Sequence, residues 1–216
     1  MKKIMVSLIL LFTVISGFAQ APKPVKLDSL VSVSLPAGYQ KKDTTNEQIY
    51  TVDGAYGYMI AIREPNARDN APLKQKKDLN KALKAYIAGI KGEQEGASAQ
   101  NVRDTTIGGL TAKVFTLKSG DEGNVSYRNF LLLYTKDVTY TFEYVYPANR
   151  VDVVKDEYKN FVSSIKLSPG LDWHDQYLSD ANGLSTINKI EIFGGGGIVL
   201  ILIIVLLARR RRPALS

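Results

Sequence analysis

The sequence predicts an α+β fold in which two helices pack on an antiparallel sheet of about six to seven strands, followed by one C-terminal transmembrane helix. Apolar residues alternate with polar ones along several short segments and recur at helical spacing along two others. Short turns join consecutive strands, which makes those strands antiparallel neighbours. The predicted order is β-β-β-α-β-β-β-β-α.

The first three strands and the first helix come before residue 93. Residues 31–35 alternate valine or leucine with serine and end at Pro36-Ala37-Gly38, which is typical of a half-buried strand closed by a turn. Residues 48–52 and 56–63 flank Asp53-Gly54, which indicates a hairpin. The helix then has one apolar stripe and a lysine-rich opposite face. The stripe is Leu79, Leu83, Tyr86, Ile87 and Ile90, and the lysines are Lys74, Lys76, Lys77, Lys81 and Lys84.

Four strands and a second helix complete the domain. The strands are predicted at 102–107, 110–118, 125–135 and 138–146, with glycine-rich or polar turns between them. After Pro147, Asn149 is predicted to cap the last helix. The apolar stripe of that helix is Val151, Val154, Tyr158, Phe161, Val162 and Ile165.

Three stretches of this domain resemble the PsbP-like superfamily of small α+β domains. They are the strand and Pro-x-Gly-aromatic turn in VSVSLPAGYQ, the glycine-led strand GGLTAKVFTL, and the strand, turn and helix in VTYTFEYVYPANRVDVVKDEYKNFVSSIKL. The resemblance implies the fold described above. It also implies a role in binding other proteins or as an accessory subunit at membranes, and it provides no family-wide catalytic residues to transfer.

The N-terminal segment has the three parts of a secretory signal peptide. Lys2 and Lys3 precede an apolar stretch over residues 4–15, and small residues Gly17 and Ala19 favour cleavage before Gln20. Cleavage after Ala21 and an uncleaved anchor helix are the alternatives. Each of these readings places the following chain outside the cytoplasm.

The C-terminal segment predicts a single membrane span. Residues 192–208 carry no charge and are followed by a stop-transfer block, Arg209, Arg210, Arg211 and Arg212. This arrangement predicts a cytoplasmic basic tail over residues 209–216. The four glycines from Gly194 to Gly197 admit two interpretations, a flexible joint at the membrane or part of a cleavable bacterial sorting signal.

The net charge of +7 does not indicate a nucleic-acid surface. Lys2, Lys3 and the four C-terminal arginines belong to the two topology signals, and the rest of the chain has 22 basic and 21 acidic residues. The chain has no cysteine, so neither disulfides nor cysteine lipidation can contribute. Nucleic acid is therefore not an expected partner.

The sequence carries no motif typical of catalysis or of cofactor binding. His174, the one histidine, lies in Asp172-Trp173-His174-Asp175, where a metal site would be incomplete and a solvated spacer is the favoured interpretation. Asp121-Glu122 and Glu93/Glu95 could serve as paired carboxylates, although turns and helix ends usually carry solvated acids. No cofactor and no metal are expected.

Two groups of residues are candidates for an interaction surface. Tyr140, Tyr144 and Tyr146 share one face of the last strand, which is either core beneath a helix or, if left open, a recognition surface. Lys77, Lys81 and Lys84 form either a solvated helix face or a contact for anionic lipid or an acidic partner.

Together these observations predict five segments: a signal peptide (1–19), an α+β domain (20–168), a linker (169–191), a transmembrane helix (192–208) and a basic tail (209–216). They favour a single-pass membrane protein whose domain lies on the periplasmic or extracellular side. We expect a binding module of the cell envelope rather than an enzyme, with a protein partner. A carboxylate-dependent envelope hydrolase and a secreted protein with a sorting signal are the alternatives.

Overall fold

The computed structural model describes residues 22–66, 73, 76–92, 96–120, 123–172 and 175–176. These residues form ten strands, two α-helices and one 3-10 helix, Ala148–Arg150. The α-helices are α1 (Lys76–Gly92) and α2 (Lys155–Ser163). The strands are β1 (Lys23–Lys26), β2 (Val31–Leu35), β3 (Gln40–Asp43), β4 (Gln48–Asp53), β5 (Tyr58–Pro65), β6 (Ser98–Ile107), β7 (Leu110–Ser119), β8 (Ser126–Tyr134), β9 (Val138–Pro147) and β10 (Lys166–Leu167).

The predicted α+β class is confirmed. Seven strands form one antiparallel sheet in the order β3-β4-β5-β9-β8-β7-β6, and β1, β2 and β10 form a small second sheet. The short strands β1, β3 and β10 were not predicted. All four residues of β3 are exposed and β10 has only two residues, so neither strand shows the apolar alternation that marks a half-buried strand.

One side of the large sheet, which we call the α2 face, is covered by α2 and the small sheet. Its centre is the even-numbered row of β9, in which Tyr140, Phe142 and Tyr144 are fully buried. Phe161 of α2 lies edge-on to Phe142, with ring centroids 6.3 Å apart. The interpretation that these aromatics lie in the core beneath a helix is confirmed.

The other side, which we call the α1 face, is covered by α1. The predicted stripe of α1 is buried against Phe115, Phe130 and Leu132, and the Tyr86 hydroxyl lies 3.0 Å from the Thr141 hydroxyl. The 3.6-residue periodicity of the apolar residues therefore identified both the helix and its buried side.

The predicted start of the second helix is wrong. Asn149 lies within the 3-10 helix, and α2 begins at Lys155 after Val154, whose side chain makes no capping hydrogen bond. Because the chain before Lys155 is not α-helical, Val151 is not in phase with the buried stripe. Its side chain is 38% exposed.

The packed domain extends beyond residue 168, where the linker was expected to begin. Leu171 is buried, and the Gln176 side chain makes three hydrogen bonds of 2.8 Å with backbone atoms of Thr111 and Tyr134. These bonds hold residue 176 near the start of β7 and the end of β8. The β4–β5 turn lies at the opposite end of the sheet, because Tyr58 pairs with Val145.

Several predictions concern residues outside the described ranges. They are the signal peptide with its cleavage site at Ala19 and Gln20, most of the linker, the transmembrane helix and the stop-transfer arginines from Arg209 to Arg212. No helix among the described residues is long and apolar enough to cross a membrane.

Candidate functional site

A groove opens on the α2 face where the β4–β5 turn, the end of β2 and α2 meet. Its volume is about 500 Å³, and most of its lining is apolar. The turn contributes Ala55 and Tyr56, and α2 contributes Phe161 to the floor. Further lining residues are Pro22, Ser34, Pro36, Met59, Asp156, Glu157, Asn160 and Ser164.

One carboxylate of α2 holds the β4–β5 turn in place. Glu157 accepts hydrogen bonds from the backbone N–H of Ala55 (2.6 Å) and of Tyr56 (2.9 Å). It also accepts one from the Tyr144 hydroxyl at 2.5 Å. Hydrogen bonds to an ionised acceptor are stronger than neutral ones, so these three contacts make the wall of the groove a fixed feature.

The glycines of the turn permit this arrangement. A Cβ added at Gly57 would lie 2.5 Å from the Tyr144 ring, and one at Gly54 would collide with the Glu157 carboxylate. Only a residue without a side chain lets the turn approach both groups this closely. The backbone N–H of Gly54 in turn donates to the carbonyl of Gly57 at 2.7 Å.

An exposed aromatic side chain lies on the wall of the groove. Tyr56 is 45% exposed, and Arg150 Nη1 donates to the Tyr56 carbonyl at 2.9 Å. This bond joins the 3-10 helix to the turn, and the exposed Val151 and Val153 follow that helix in sequence. The groove itself combines a mainly apolar lining with a half-exposed tyrosine on its wall. Such a combination is typical of a surface that binds a partner.

The predicted tyrosine surface is not open. Tyr140 and Tyr144 are fully buried and Tyr146 is 8% exposed. The alternation along β9 places all three side chains on the α2 face, where β2 and α2 cover them. Burial, together with hydrogen bonds to Asp28 and Glu157 respectively, raises the pKa of the Tyr140 and Tyr144 hydroxyls. Of the three, Tyr144 contacts a groove residue, through its hydrogen bond to Glu157.

A second carboxylate on this face is held as firmly as Glu157. Asp28 accepts hydrogen bonds from the Tyr140 hydroxyl at 2.6 Å and from Arg63 Nε at 2.8 Å. Burial would raise the pKa of Asp28, but these bonds and those from two backbone N–H groups hold the pKa below its usual value. Because its pKa is lowered in the folded state, Asp28 stabilises the fold at neutral pH, and this contribution is lost as the pH falls.

The predicted lysines lie on the other side of the molecule. Lys77, Lys81 and Lys84 are exposed along α1, on the α1 face. The sheet thus separates them from the groove. The structure therefore does not bring the two predicted groups together in one surface.

A cluster of buried charged residues on the α1 face was not predicted. Arg128 Nη2 donates to Glu143 Oε2 at 2.5 Å, and both side chains are at least nine-tenths buried. Burial raises the pKa of Glu64 to about 7, with a further contribution from the neighbouring Glu47. Burial raises the pKa of Glu47 as well. Buried atoms of Glu47, Arg128 and Glu143 make no hydrogen bond.

Sequence could have pointed to only part of this cluster. Glu143 is the one charged residue of β9 and alternates with Thr139 and Thr141, but its partner Arg128 follows from the register of β8 on β9. Among the described residues, no three acidic, histidine or cysteine side chains are placed to hold a metal ion. His174, Asp121, Glu122, Glu93 and Glu95 lie outside the described residues.

The chain matches no protein-family model and no curated protein. Its fold is similar to the solution structure of cyanobacterial PsbP (CyanoP) from Synechocystis sp. PCC 6803. That structure is 16% identical, with a TM-score of 0.51 over 71% of this chain and 96% of that chain. The PsbP-like structural resemblance expected from the sequence is thus confirmed for the fold.

Two further solved structures match more distantly. One is PA94 from Pseudomonas aeruginosa, a protein of unknown function described as a putative regulator. It is 11% identical with a TM-score of 0.46, over 69% of this chain and 99% of that chain. The other is LpqN, involved in cell envelope biogenesis of Mycobacterium tuberculosis. It is 10% identical with a TM-score of 0.43, over 70% of this chain and 88% of that chain.

Proposed function

We propose that this protein is a membrane-anchored binding module of the cell envelope, and that the groove on its α2 face holds an apolar segment of a protein partner. The observation that carries the proposal is the fixed turn, which holds the exposed Tyr56 on the wall of a mainly apolar groove. Burying such side chains on binding contributes roughly 25 cal/mol per Å² of apolar surface. A pre-formed site also avoids much of the entropy cost of ordering a loop on binding.

The proposed location depends on the two ends of the chain. The signal peptide exports the domain, and residues 192–208 anchor it with the arginine tail in the cytoplasm. Gln176 lies at the end of the sheet opposite the groove, and the strand between the two ends measures roughly 25 Å. The chain therefore leaves the domain away from the groove, which leaves the groove accessible to a partner in the envelope, such as a subunit of a membrane complex.

Site-specific photocrosslinking tests the groove. A photoreactive phenylalanine analogue replaces Tyr56 in the full chain, which is expressed in its native cells and irradiated. We expect one discrete adduct with an envelope protein. The matched control carries the analogue at Val102, which is equally exposed (48%) but lies on the sheet edge strand β6. Identical adduct patterns at both positions, or none at Tyr56, would contradict the proposal.

A point variant strengthens this test. Asn160→Lys introduces a charge into the lining of the groove at an exposed helix position, so the fold should tolerate it. We expect the Tyr56 adduct to weaken about tenfold, since a buried charge opposes docking. An unchanged adduct would show that the partner does not use this groove.

Glu47 and Glu64 favour one alternative, a carboxylate-dependent envelope hydrolase. Two neighbouring carboxyl groups with raised pKa values are the arrangement that acid-base catalysis uses. Hydrolysis of an envelope substrate by the full chain, abolished in both Glu47→Gln and Glu64→Gln, would support this function. The remaining alternative is a secreted protein with a cleavable C-terminal sorting signal. It differs from the proposal in that the C-terminal segment is removed rather than kept as an anchor.

A further inference from the structure

Helix α1 presents a continuous basic stripe to solvent. Lys77, Lys81, Lys84 and Lys91 are all exposed, and the exposed Ala88 occupies the remaining position of the same row. The spacing of four, three, four and three residues keeps these side chains on one side of the helix. We call this row the lysine stripe.

The lysine stripe takes no part in the ion pairs that the described residues form with one another. Lys77 and Lys81, and Lys81 and Lys84, are like charges at helix-neighbour spacing, which weakens an isolated helix. Lys91, in the last turn, interacts favourably with the helix dipole. The other three lysines lie too far from that end of the helix to do so.

The shape and charge of the stripe suit a flat anionic surface. A straight helix of 17 residues with one basic side can lay all four lysines on one plane. Small residues Ala88 and Gly89 in the same region are exposed and let the helix approach the plane closely. Lysine near an anionic bilayer is attracted to the headgroups, and salt screens that attraction.

The anchor of the proposed function, on which this inference rests, holds the domain beside a bilayer. Only 15 residues, 177–191, separate the packed Gln176 from the predicted transmembrane helix. A coil of that length spans roughly 20–25 Å, so the domain remains close to the membrane surface. Tethering raises the effective concentration of headgroups at the stripe and makes weak contacts sufficient.

We propose that the lysine stripe of α1 docks the domain on the anionic headgroups of the bilayer in which its own anchor lies. The α1 face then lies against the membrane and the α2 face points away from it. The groove, with Tyr56, opens toward the medium. Docking thus sets the orientation of the binding site as well as its distance from the membrane.

Because the chain has no cysteine, a single fluorophore can be attached without ambiguity. The full chain carrying Ala88→Cys is labelled and reconstituted in vesicles that contain a lipid-borne quencher. One set of vesicles is pure phosphatidylcholine and the other contains about one third phosphatidylglycerol. Ser163→Cys, exposed on α2 and outside the groove lining, is the matched control on the opposite face.

We expect the Ala88 label to be quenched about threefold more in the anionic vesicles at low salt, and the Ser163 label to change little. About 0.5 M salt should remove the difference, as should the variant with Lys77, Lys81, Lys84 and Lys91 all changed to Gln. Equal quenching in both vesicle types, or at both labelled positions, overturns the proposal. Quenching that requires an added acidic envelope protein also overturns it, because the stripe would then meet protein rather than lipid.

Failure of the anchor gives a different result. If alkaline washing strips the chain from the vesicles, the transmembrane helix of the proposed function is wrong, whatever the labels report. If the chain stays with the vesicles and the Ala88 label remains unquenched, the anchor stands and lipid docking is wrong.

Discussion

At the residue scale, the groove depends on a few polar side chains whose partners are far apart in sequence. Glu157 reaches Ala55 and Tyr56 across a sequence separation of 102 and 101 residues. It joins α2, the β4–β5 turn and the buried Tyr144 through one carboxylate. Removing its charge should therefore affect stability and binding together.

Glu157→Gln tests this role. The amide retains one acceptor oxygen but loses the charge, so at least one of the three donors loses its partner. We expect the free energy of unfolding to fall by about 1–2 kcal/mol, measured by urea denaturation. Tyr144→Phe removes one donor and should cost about 1 kcal/mol. The double variant should lose less than the sum of the two, and a strictly additive loss would show that the two groups are not coupled.

Glu64 predicts how stability depends on pH. Its pKa in the folded protein, about 7, lies above the ordinary value of 4.5. The folded state therefore holds a proton that the unfolded state releases, so this group lowers stability as the pH rises from about 4.5 to 7. We expect Glu64→Gln to be less sensitive to pH than the parent between pH 5 and 8, by urea midpoints. Asn101→Val, which removes no titratable group, is the control and should keep the parental slope.

At the residue scale, the sequence predicted which side chains are buried only where strand alternation decides it. Alternation along β9 placed Tyr140, Phe142 and Tyr144 on one buried face. It could not reveal that Glu157, Asp28 or Glu64 would acquire specific partners. Those contacts arise from the register of distant strands, which local periodicity does not encode.

At the element scale, regular amphipathic segments were predictable and irregular ones were not. The stripe of α1 fixed both the helix and its buried side. Helix α2 was placed too early, because apolar spacing across residues 148–154 imitates a helix although the chain there forms a 3-10 turn. The strands β1, β3 and β10 were missed because each is four residues or shorter and depends on a neighbouring strand for its hydrogen bonds.

The edge strand β6 provides a prediction at this scale. Its pairing with β7 shifts register between Gln100 and Arg103, and Asn101 there adopts a left-handed conformation with φ 55°. A bulge of this kind bends an edge strand and hinders pairing with other chains. Asn101→Val should lower the free energy of unfolding by about 1–2 kcal/mol, because a β-branched side chain disfavours positive φ.

Asn101→Gly is the matched control for the bulge, since glycine adopts the same φ without strain. We expect its unfolding midpoint to stay near that of the parent protein. Light scattering should also show more self-association for Asn101→Val if the strand straightens. Equal stability of the valine and glycine variants would mean that the bulge does not determine the conformation at residue 101.

At the scale of the whole molecule, the domain has two sides of different character and two ends. The groove lies on the α2 face, the lysine stripe lies on the α1 face, and Gln176 lies at the end far from the β4–β5 turn. Composition fixed the expected topology of the chain, because six of its basic residues lie at its two ends. It could not indicate the groove, which exists only after β2, β4, β5 and α2 have come together.

The fate of the two termini is the prediction that decides where the domain works. Intact mass of the native protein, with fractionation of its own cells, should give a membrane-bound species that begins at Gln20 and ends at Ser216. A chain of that span would keep both the anchor and the arginine tail, so the domain would remain at the membrane, where the lysine stripe can act.

A soluble species that ends between Gly194 and Gly197 would instead identify the C-terminus as a sorting signal. The lysine stripe would then have no tethered bilayer, whereas the groove could still bind its partner in the medium. A variant with Gly195 and Gly196 changed to Ala separates the two cases, since it should leave an anchored chain unchanged but should block removal of a sorting signal.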